Sequence, residues 1–341
     1  MLQTVLKQFG FNKDNCLIEQ FGNGLINSTW QVVNETKKSK FILQRVNHNI
    51  FKQPEDIAFN TRLIGNYLKE HFPAYLFVNA CRANDGNDLV KVWESYFRMF
   101  PFVERSHTID VVDNPEQAFE AARQFGMFTK LLSGLDVSRL KLTLPDFHDL
   151  SLRYTQFESA LKNGNKQRII QSQELISFIL TQKYIVDEFE NCKLKFRIRC
   201  THHDTKISNV LFDDAGKGLC VIDLDTVMPG YFISDVGDMM RTYLSPVTEE
   251  ENDFTKIEVR KEFYEAIING YLSEMEVELS ELEKKYFHYA GKFMIYMQAI
   301  RFLTDHLNDD SYYGAKYDGH NFVRAGNQVT LLKRLFEINH G

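Results

Sequence analysis

Asp204, Asn209 and Asp223 stand in two adjoining segments, THHDTKISNV from Thr201 to Val210 and CVIDLDTV from Cys220 to Val227. Two carboxylates and a carboxamide oxygen suit a hard divalent cation and leave one carboxylate over to act as a base. The spacing argues that the three groups meet. NVLFDDAGKGLCVID reads as two short apolar strands around a loop holding Gly216 and Gly218, and Asn209 and Asp223 each lie seven residues from Gly216. An antiparallel hairpin returns them to the same end on adjacent strands, and Asp204, just upstream, joins them. Metal-assisted hydrolysis and phosphoryl transfer both use such a set. A zinc or two-metal hydrolase asks for more imidazoles or carboxylates from several strand ends. The adjacent His202 and His203 point in different directions; His202 reads as a core histidine bonded to backbone, and His203 is left unassigned.

The elements that must position this hairpin change character near residue 101. Before it, Trp30 and Val32, then Phe41 and Leu43, alternate around a polar turn at Asn34 to Ser39, which predicts a hairpin-rich sheet. Pro54 to Glu70 follows with Ile57, Ile64 and Leu68 at helical spacing, its proline at the helix start where no donor is needed. DLVKVWESYFRMFPF supplies one or two further strands ending at Pro101. After Asn114 the chain is mostly helical, with Phe119, Ala122 and Phe125, and later Phe287, Met294, Met297 and Ile300, keeping apolar faces. The only clear strand signals there are those of the opening stretch. The expected fold is α+β and bilobal: a small antiparallel-sheet lobe over residues 1–101 and a larger helical lobe over 102–341.

The 341 residues exceed what one compact core usually organises, which agrees with two lobes around a cleft. Hydrophobic residues at 44% and charged residues at 25% exclude disorder. A net charge of -6 without a basic block gives no reason to expect nucleic acid or an anionic membrane as partner. No leader and no long apolar run is seen, so the expected location is cytoplasmic. Cys16, Cys81, Cys192, Cys200 and Cys220 form no CxxC pair and read as small buried residues.

His202, Asp204 and Asn209, followed by Asp223 after the next strand, resemble the H-x-D-x-x-x-x-N catalytic loop and metal aspartate of protein-kinase-like phosphotransferases. The resemblance implies that Asp204 orients and deprotonates the acceptor hydroxyl, that Asn209 and Asp223 hold magnesium on ATP, and that Lys206 neutralises the moving phosphoryl group. IDLD in place of DFG points to the aminoglycoside phosphotransferase-like small-molecule kinases. Within these, GLINSTW, FILQR, HHDTKISNVLFD, VIDLDTVMPG, DVGDMMR and RFLTDHLNDDSYY, in order from about Gly22 to Gln328, are similar to the N-acetylhexosamine 1-kinase group. That likeness implies ATP- and magnesium-dependent phosphorylation of the anomeric hydroxyl of N-acetylglucosamine or N-acetylgalactosamine.

Further site residues follow from the same frame. FGNGLINSTWQV occupies the place of a phosphate loop, with Gly22 and Gly24 letting backbone amides approach and Asn27, Ser28 and Thr29 adding side-chain donors; the third glycine position is Asn27. No lysine follows on the next strand. Arg45 is the expected phosphate cation, with Gln44 in its place if a bulge shifts the register, and the following helix has Glu55 at its start but no acid in its middle to pair with it. Adenine is expected against the backbone of Met99, Phe100 and Pro101. Asp235 is expected to hold the catalytic loop's backbone, and Asp225 to touch metal or substrate. Arg301, with apolar neighbours, and Tyr313 are the expected sugar contacts; Asn321, Arg324 and Gln328 read as stabilising. A kinase for a choline-, homoserine- or aminoglycoside-like compound and a non-catalytic nucleotide-binding scaffold are the alternatives. A cationic acceptor would want an acidic or aromatic cage, and no dense acidic run occurs before Glu249 to Asp253.

Overall fold

The computed structural model describes residues 1–22 and 26–338. Its N-terminal region contains α1 (Leu2–Gln8), β1 (Cys16–Gln20), β2 (Ser28–Asn34), β3 (Ser39–Val46), α2 (Pro54–His71), β4 (Val90–Val92) and β5 (Ser95–Pro101). The strands form one antiparallel sheet in the order β1-β2-β3-β5-β4. The turn between β2 and β3 is tied by Asn34 Oδ1, which accepts from the Lys37 N–H at 2.9 Å. Pro54 opens α2, with Glu55 and Asp56 in its first turn and Lys69 and His71 in its last, a charge order that suits the helix dipole.

The two faces of this sheet do different work. Val32, Leu43, Phe97 and Met99 bury their side chains with Val5, Leu6 and Phe9, so α1 covers that face. Thr29, Ile42, Gln44, Arg98 and Phe100 lie on the opposite face and line a cleft. Strand alternation sorts the side chains into these two sets.

Beyond the sheet the chain forms β6 (Ser106–His107), α3 (Pro115–Leu131), α4 (Leu150–Asn163), α5 (Lys166–Gln171), α6 (Gln173–Thr181) and α7 (Tyr184–Cys192). Then come β7 (Arg199–Thr201), β8 (Val210–Asp213), β9 (Gly218–Val221), β10 (Met228–Gly230), α8 (Phe232–Tyr243), α9 (Lys261–Met275), α10 (Glu281–Lys284), α11 (Phe287–Leu307) and α12 (His320–Phe336). An antiparallel-sheet N-terminal region and a helical C-terminal region are the architecture the sequence predicted. Helix α11 is apolar nearly all round, with Phe293, Met294, Met297 and Ile300 all buried, and it forms the centre of the helical core.

β8 and β9 make the predicted hairpin. Gly216 sits at φ +78 in its turn, and Asp213 Oδ1 accepts from the Ala215 and Lys217 N–H groups at 2.9 Å each. The short strands β6 and β10 depart from expectation. They pair with β8 and β7 respectively over two and three residues, too short a span for alternation to show in sequence. All five cysteines are free thiols. No helix among the described residues is long and apolar enough to cross a membrane.

Candidate active site

The segment from Thr201 to Val210 crosses from β7 to β8 and is held from beneath by α8. Asp235 accepts the His202 N–H at 3.1 Å on one oxygen and the His203 N–H at 2.8 Å on the other. Asp238 accepts the Thr205 N–H at 2.8 Å, and the Tyr243 hydroxyl donates to the Thr205 carbonyl at 2.6 Å. His203 takes a left-handed backbone, φ +66, inside this clamp. Its ring lies where a side chain at residue 230 would be: a Cβ on Gly230 would fall 2.3 Å from His203 Nε2. His202 is fully buried and bonded through Nε2 to the Ile222 carbonyl at 3.0 Å, which requires the proton on Nε2. It is the core histidine that the sequence suggested.

This clamp fixes Asp204. Asn209 Nδ2 donates to the Asp204 carbonyl at 2.9 Å and to its Oδ2 at 3.2 Å, while Lys206 Nζ lies 3.0 Å from Oδ1. Burial pushes the Asp204 carboxyl up, but the charge and hydrogen bond of Lys206 outweigh it, and the carboxyl is held below its usual range. The Ile222 N–H donates to the Asn209 carbonyl at 2.8 Å, extending the hairpin ladder until Asn209 and Asp223 share its mouth. Asp223 turns into the cleft from a left-handed backbone, φ +58. Its cleft side is open to water and its other sides are enclosed by protein. Desolvation, then the Asp225 carboxylate, push it up to about 7.

The donors fit a hard cation. Because Asn209 Nδ2 is committed to Asp204, its Oδ1 is turned away and available, and Asp223, which has no ion pair of its own among the described residues, shares the mouth with it.

A cleft of about 280 Å³ connects this mouth to the sheet. Gly22, Thr29, Gln44, Arg98 and Phe100 line it together with Asn209 and Asp223. Gly24 lies outside the described residues. Several expected contacts are elsewhere. Arg45 shares the face of Leu43, away from the cleft, and donates to Ser28 Oγ at 3.0 Å; Ser28, its cross-strand partner, points the same way. Met99 likewise buries its side chain under α1, and its carbonyl accepts the Cys81 N–H at 2.7 Å. Gln44 is therefore the inward residue of β3 without any bulge. Asn27 donates through Nδ2 to Asp225 Oδ2 at 2.8 Å and accepts the Asn47 N–H at 3.0 Å. Asp225 is only 3% exposed and its other oxygen is paired with Arg98 at 2.5 Å, so it is an inner link between sheet and hairpin, not an open contact for substrate. Arg98 escaped the sequence reading. Its signal was an arginine inside an apolar strand, on the face of Phe100 and opposite Gln44.

On the other side of Asp204, a chain of contacts runs through the helical region. Arg241 lies within electrostatic reach of Asp204 and pairs with Glu249 at 2.7 Å; Glu249 also pairs with Arg324. The Arg324 guanidinium lies 5.4 Å from the Tyr313 ring, as does that of Arg301. Arg301 also covers Phe147 at 5.3 Å and acts on His148, whose ring is 5.2 Å from that of His203. Arg301, Tyr313, Arg153 and Thr304 share a cavity of about 320 Å³. Of the residues lining it, Arg153 Nε and Thr304 Oγ1 are buried with no hydrogen-bond partner among the described residues. Asn321 donates to Asp305 and Asp310, the stabilising role expected of it.

A loop aspartate bonded to an asparagine, with a second aspartate beside it under a five-stranded sheet, is a phosphotransferase arrangement. Residues 17–282 match the model of the phosphotransferase enzyme family APH. The chain belongs to that family. As an APH enzyme it is a small-molecule phosphotransferase with a hydroxyl acceptor. Solved structures of similar fold include an aminoglycoside phosphotransferase from Alicyclobacillus acidocaldarius, at TM-score 0.62 and 12% identity over 94% of this chain and 92% of that one. A choline kinase from Cryptosporidium parvum gives TM-score 0.60 and 12% identity over 98% and 96%. A spectinomycin phosphotransferase in complex with ADP and spectinomycin gives 0.57 and 12% over 98% and 97%. At such identities the shared property is the protein-kinase-like fold.

Proposed function

We propose that this APH enzyme transfers the γ-phosphoryl group of ATP to the anomeric hydroxyl of an N-acetylhexosamine, N-acetylglucosamine or N-acetylgalactosamine, giving the sugar 1-phosphate and ADP. Residues 1–101 would hold the nucleotide, and 102–341 the catalytic loop and the acceptor. The observation that carries the acceptor class is the charge around the cavity of Arg301. Arg301 and Arg153 have no carboxylate partner among the described residues. Asp305 accepts the Tyr312 and Tyr313 N–H groups at 2.7 and 2.8 Å, and Glu249 lies between two arginines. Among the described residues the one carboxylate lining the cavity, that of Asp305, is engaged by those N–H groups while Arg153 and Arg301 face it, which disfavours a choline, an ethanolamine or a polycationic antibiotic. A neutral polyol with an amide carbonyl suits the arginine donors of this cavity, Arg153 and Arg301, and Tyr313 lines the same cavity beside Arg301.

In the reaction, the acceptor hydroxyl donates a hydrogen bond to the Asp204 carboxylate. As the new O–P bond forms and the γ-phosphoryl group leaves ADP, the hydroxyl proton passes to Asp204. Lys206 keeps that carboxylate ionised, which makes it a weak base. The anomeric hydroxyl, the most acidic on a reducing sugar, is the one a weak base serves best. Magnesium, held by Asn209 Oδ1 and Asp223, would neutralise the phosphate charge.

The test is ADP release with ATP, magnesium and each acceptor in turn. N-acetylglucosamine or N-acetylgalactosamine is expected to support turnover, and choline, ethanolamine, homoserine and spectinomycin are not. Asp204→Asn should lower kcat by about 10²–10⁴-fold, and Arg301→Ala should raise KM for the sugar and leave KM for ATP unchanged. Turnover with choline or ethanolamine and none with the sugars would end this reading.

A further inference from the structure

No lysine is among the residues lining the cleft; Lys40, on the same face of β3 as Ile42 and Gln44, pairs with Glu104 at 3.4 Å. On β3 the inward side chains are Ile42 and Gln44, and opposite Gln44 on β5 the inward side chain is Arg98. A triphosphate in this cleft needs compensation of its charge, and the usual answer in kinase folds is a β3 lysine paired with a helix glutamate. Here Arg98 donates from Nε and Nη2 to Gln44 Oε1 at 3.0 and 2.9 Å, and its Nη1 is paired with Asp225 Oδ1 at 2.5 Å. Both members of that ion pair are almost fully buried.

Arginine donates and never accepts, so these bonds decide which way the Gln44 amide points. Its oxygen faces Arg98, and its NH₂ group faces Thr29 and the cleft. The one bond this NH₂ makes, to Thr29 Oγ1, is long at 3.4 Å and leaves donor capacity for a stronger acceptor. A cation bonded to the amide oxygen polarises the amide and makes its N–H a better donor. The remaining oxygen of Asp225 accepts from Asn27, which ends the phosphate loop, and Asp223 is two residues away. Sheet, phosphate loop and metal loop are thereby tied at one carboxylate.

We propose that Arg98 is a positioning residue for the nucleotide: anchored by Asp225, it holds the Gln44 amide so that its NH₂ donates to an α- or β-phosphoryl oxygen. Arg98 and Gln44 together replace the lysine, and Asp225, from the hairpin instead of α2, replaces the helix glutamate. This deepens the kinase reading and rests on it for the nucleotide, but not for the identity of the acceptor.

The test is calorimetric titration with ATP and, separately, adenosine, both without magnesium. The proteins are wild type, Gln44→Met, the pair R98M/D225N, which removes both buried charges and so avoids stranding one, and the triple variant. Loss of one charge-assisted hydrogen bond is expected to weaken ATP about tenfold in Gln44→Met and in R98M/D225N, with adenosine unchanged. The triple variant should be no weaker than R98M/D225N, because the residues act as one unit. Unchanged ATP affinity in Gln44→Met, multiplying effects in the triple variant, or an equal loss for adenosine would each overturn the proposal. If wild type itself fails to bind ATP, the kinase reading falls first and takes this inference with it.

Discussion

Asp204 owes its charge state to a neighbour that is easy to remove. Burial alone would lift its carboxyl, and Lys206 at 3.0 Å reverses that. A base works in its ionised form, so the rate falls as pH drops through its pKa. Lys206→Met removes the group that holds the carboxyl down against burial, so the acid limb of the kcat/KM profile should move to higher pH. An acid limb in the same place as wild type would mean that Lys206 does not govern Asp204. The residue scale is also where the sequence was most legible. The separation of Asn209 and Asp223 from a turn glycine is a geometric statement, and the structure does bring these two residues to one end of the hairpin. It was least legible at Arg45 and Ser28. Alternation separates two sets of side chains but does not say which set faces the cleft, and that is decided by α1 settling on the Leu43 side. The pairing of Arg98 with Asp225 joins distant segments and left no trace in local pattern.

At the scale of elements, the segment from Thr201 to Val210 is a short irregular crossing whose shape comes from α8. Asp235 is 1% exposed and accepts two successive backbone N–H groups. Desolvation pushes its carboxyl up to about 7 against the pull of those two bonds. An asparagine there has one acceptor oxygen, and its NH₂ would face whichever N–H the oxygen leaves. Asp235→Asn should therefore lose about 1–3 kcal/mol in urea unfolding. It should also speed hydrogen exchange at the His202 and His203 amides and lower kcat, while ATP affinity stays near wild type. Wild-type exchange at those amides would show that the loop holds its shape without the clamp. The loop-holding role of Asp235 was legible only through the resemblance, which places an aspartate after the metal loop. β6, β7 and β10, at two or three residues each, are made by tertiary pairing and have no pattern of their own to read.

At the scale of the molecule, the N-terminal and helical regions meet through the apolar side chains of Ile64 and Leu68 of α2, which join the helical core, and through two polar links among the described residues. One is Asp225, with Arg98 and Asn27. The other is Asn60 of α2, completely buried, which donates to the Val227 carbonyl at 3.0 Å and the Lys141 carbonyl at 2.9 Å and accepts the Lys141 N–H at 2.8 Å. A kinase helix that swings needs a contact that opens, whereas these three bonds fasten α2 to two segments of the helical region at once. The two regions should then melt as one unit. Asn60→Ala leaves the buried Val227 carbonyl without its donor and frees the part-buried Lys141 carbonyl and N–H, a cost of about 1–3 kcal/mol, and it falls where α2 meets the helical region. The sheet, with its smaller apolar cluster, should lose cooperativity with the helical region and unfold first. Scanning calorimetry of wild type should give one transition, and Asn60→Ala should give two, the lower one shifted upward by ATP if the nucleotide binds against the sheet as proposed. A single sharp transition in Asn60→Ala, merely lowered, would show that the union of the two regions does not depend on this residue.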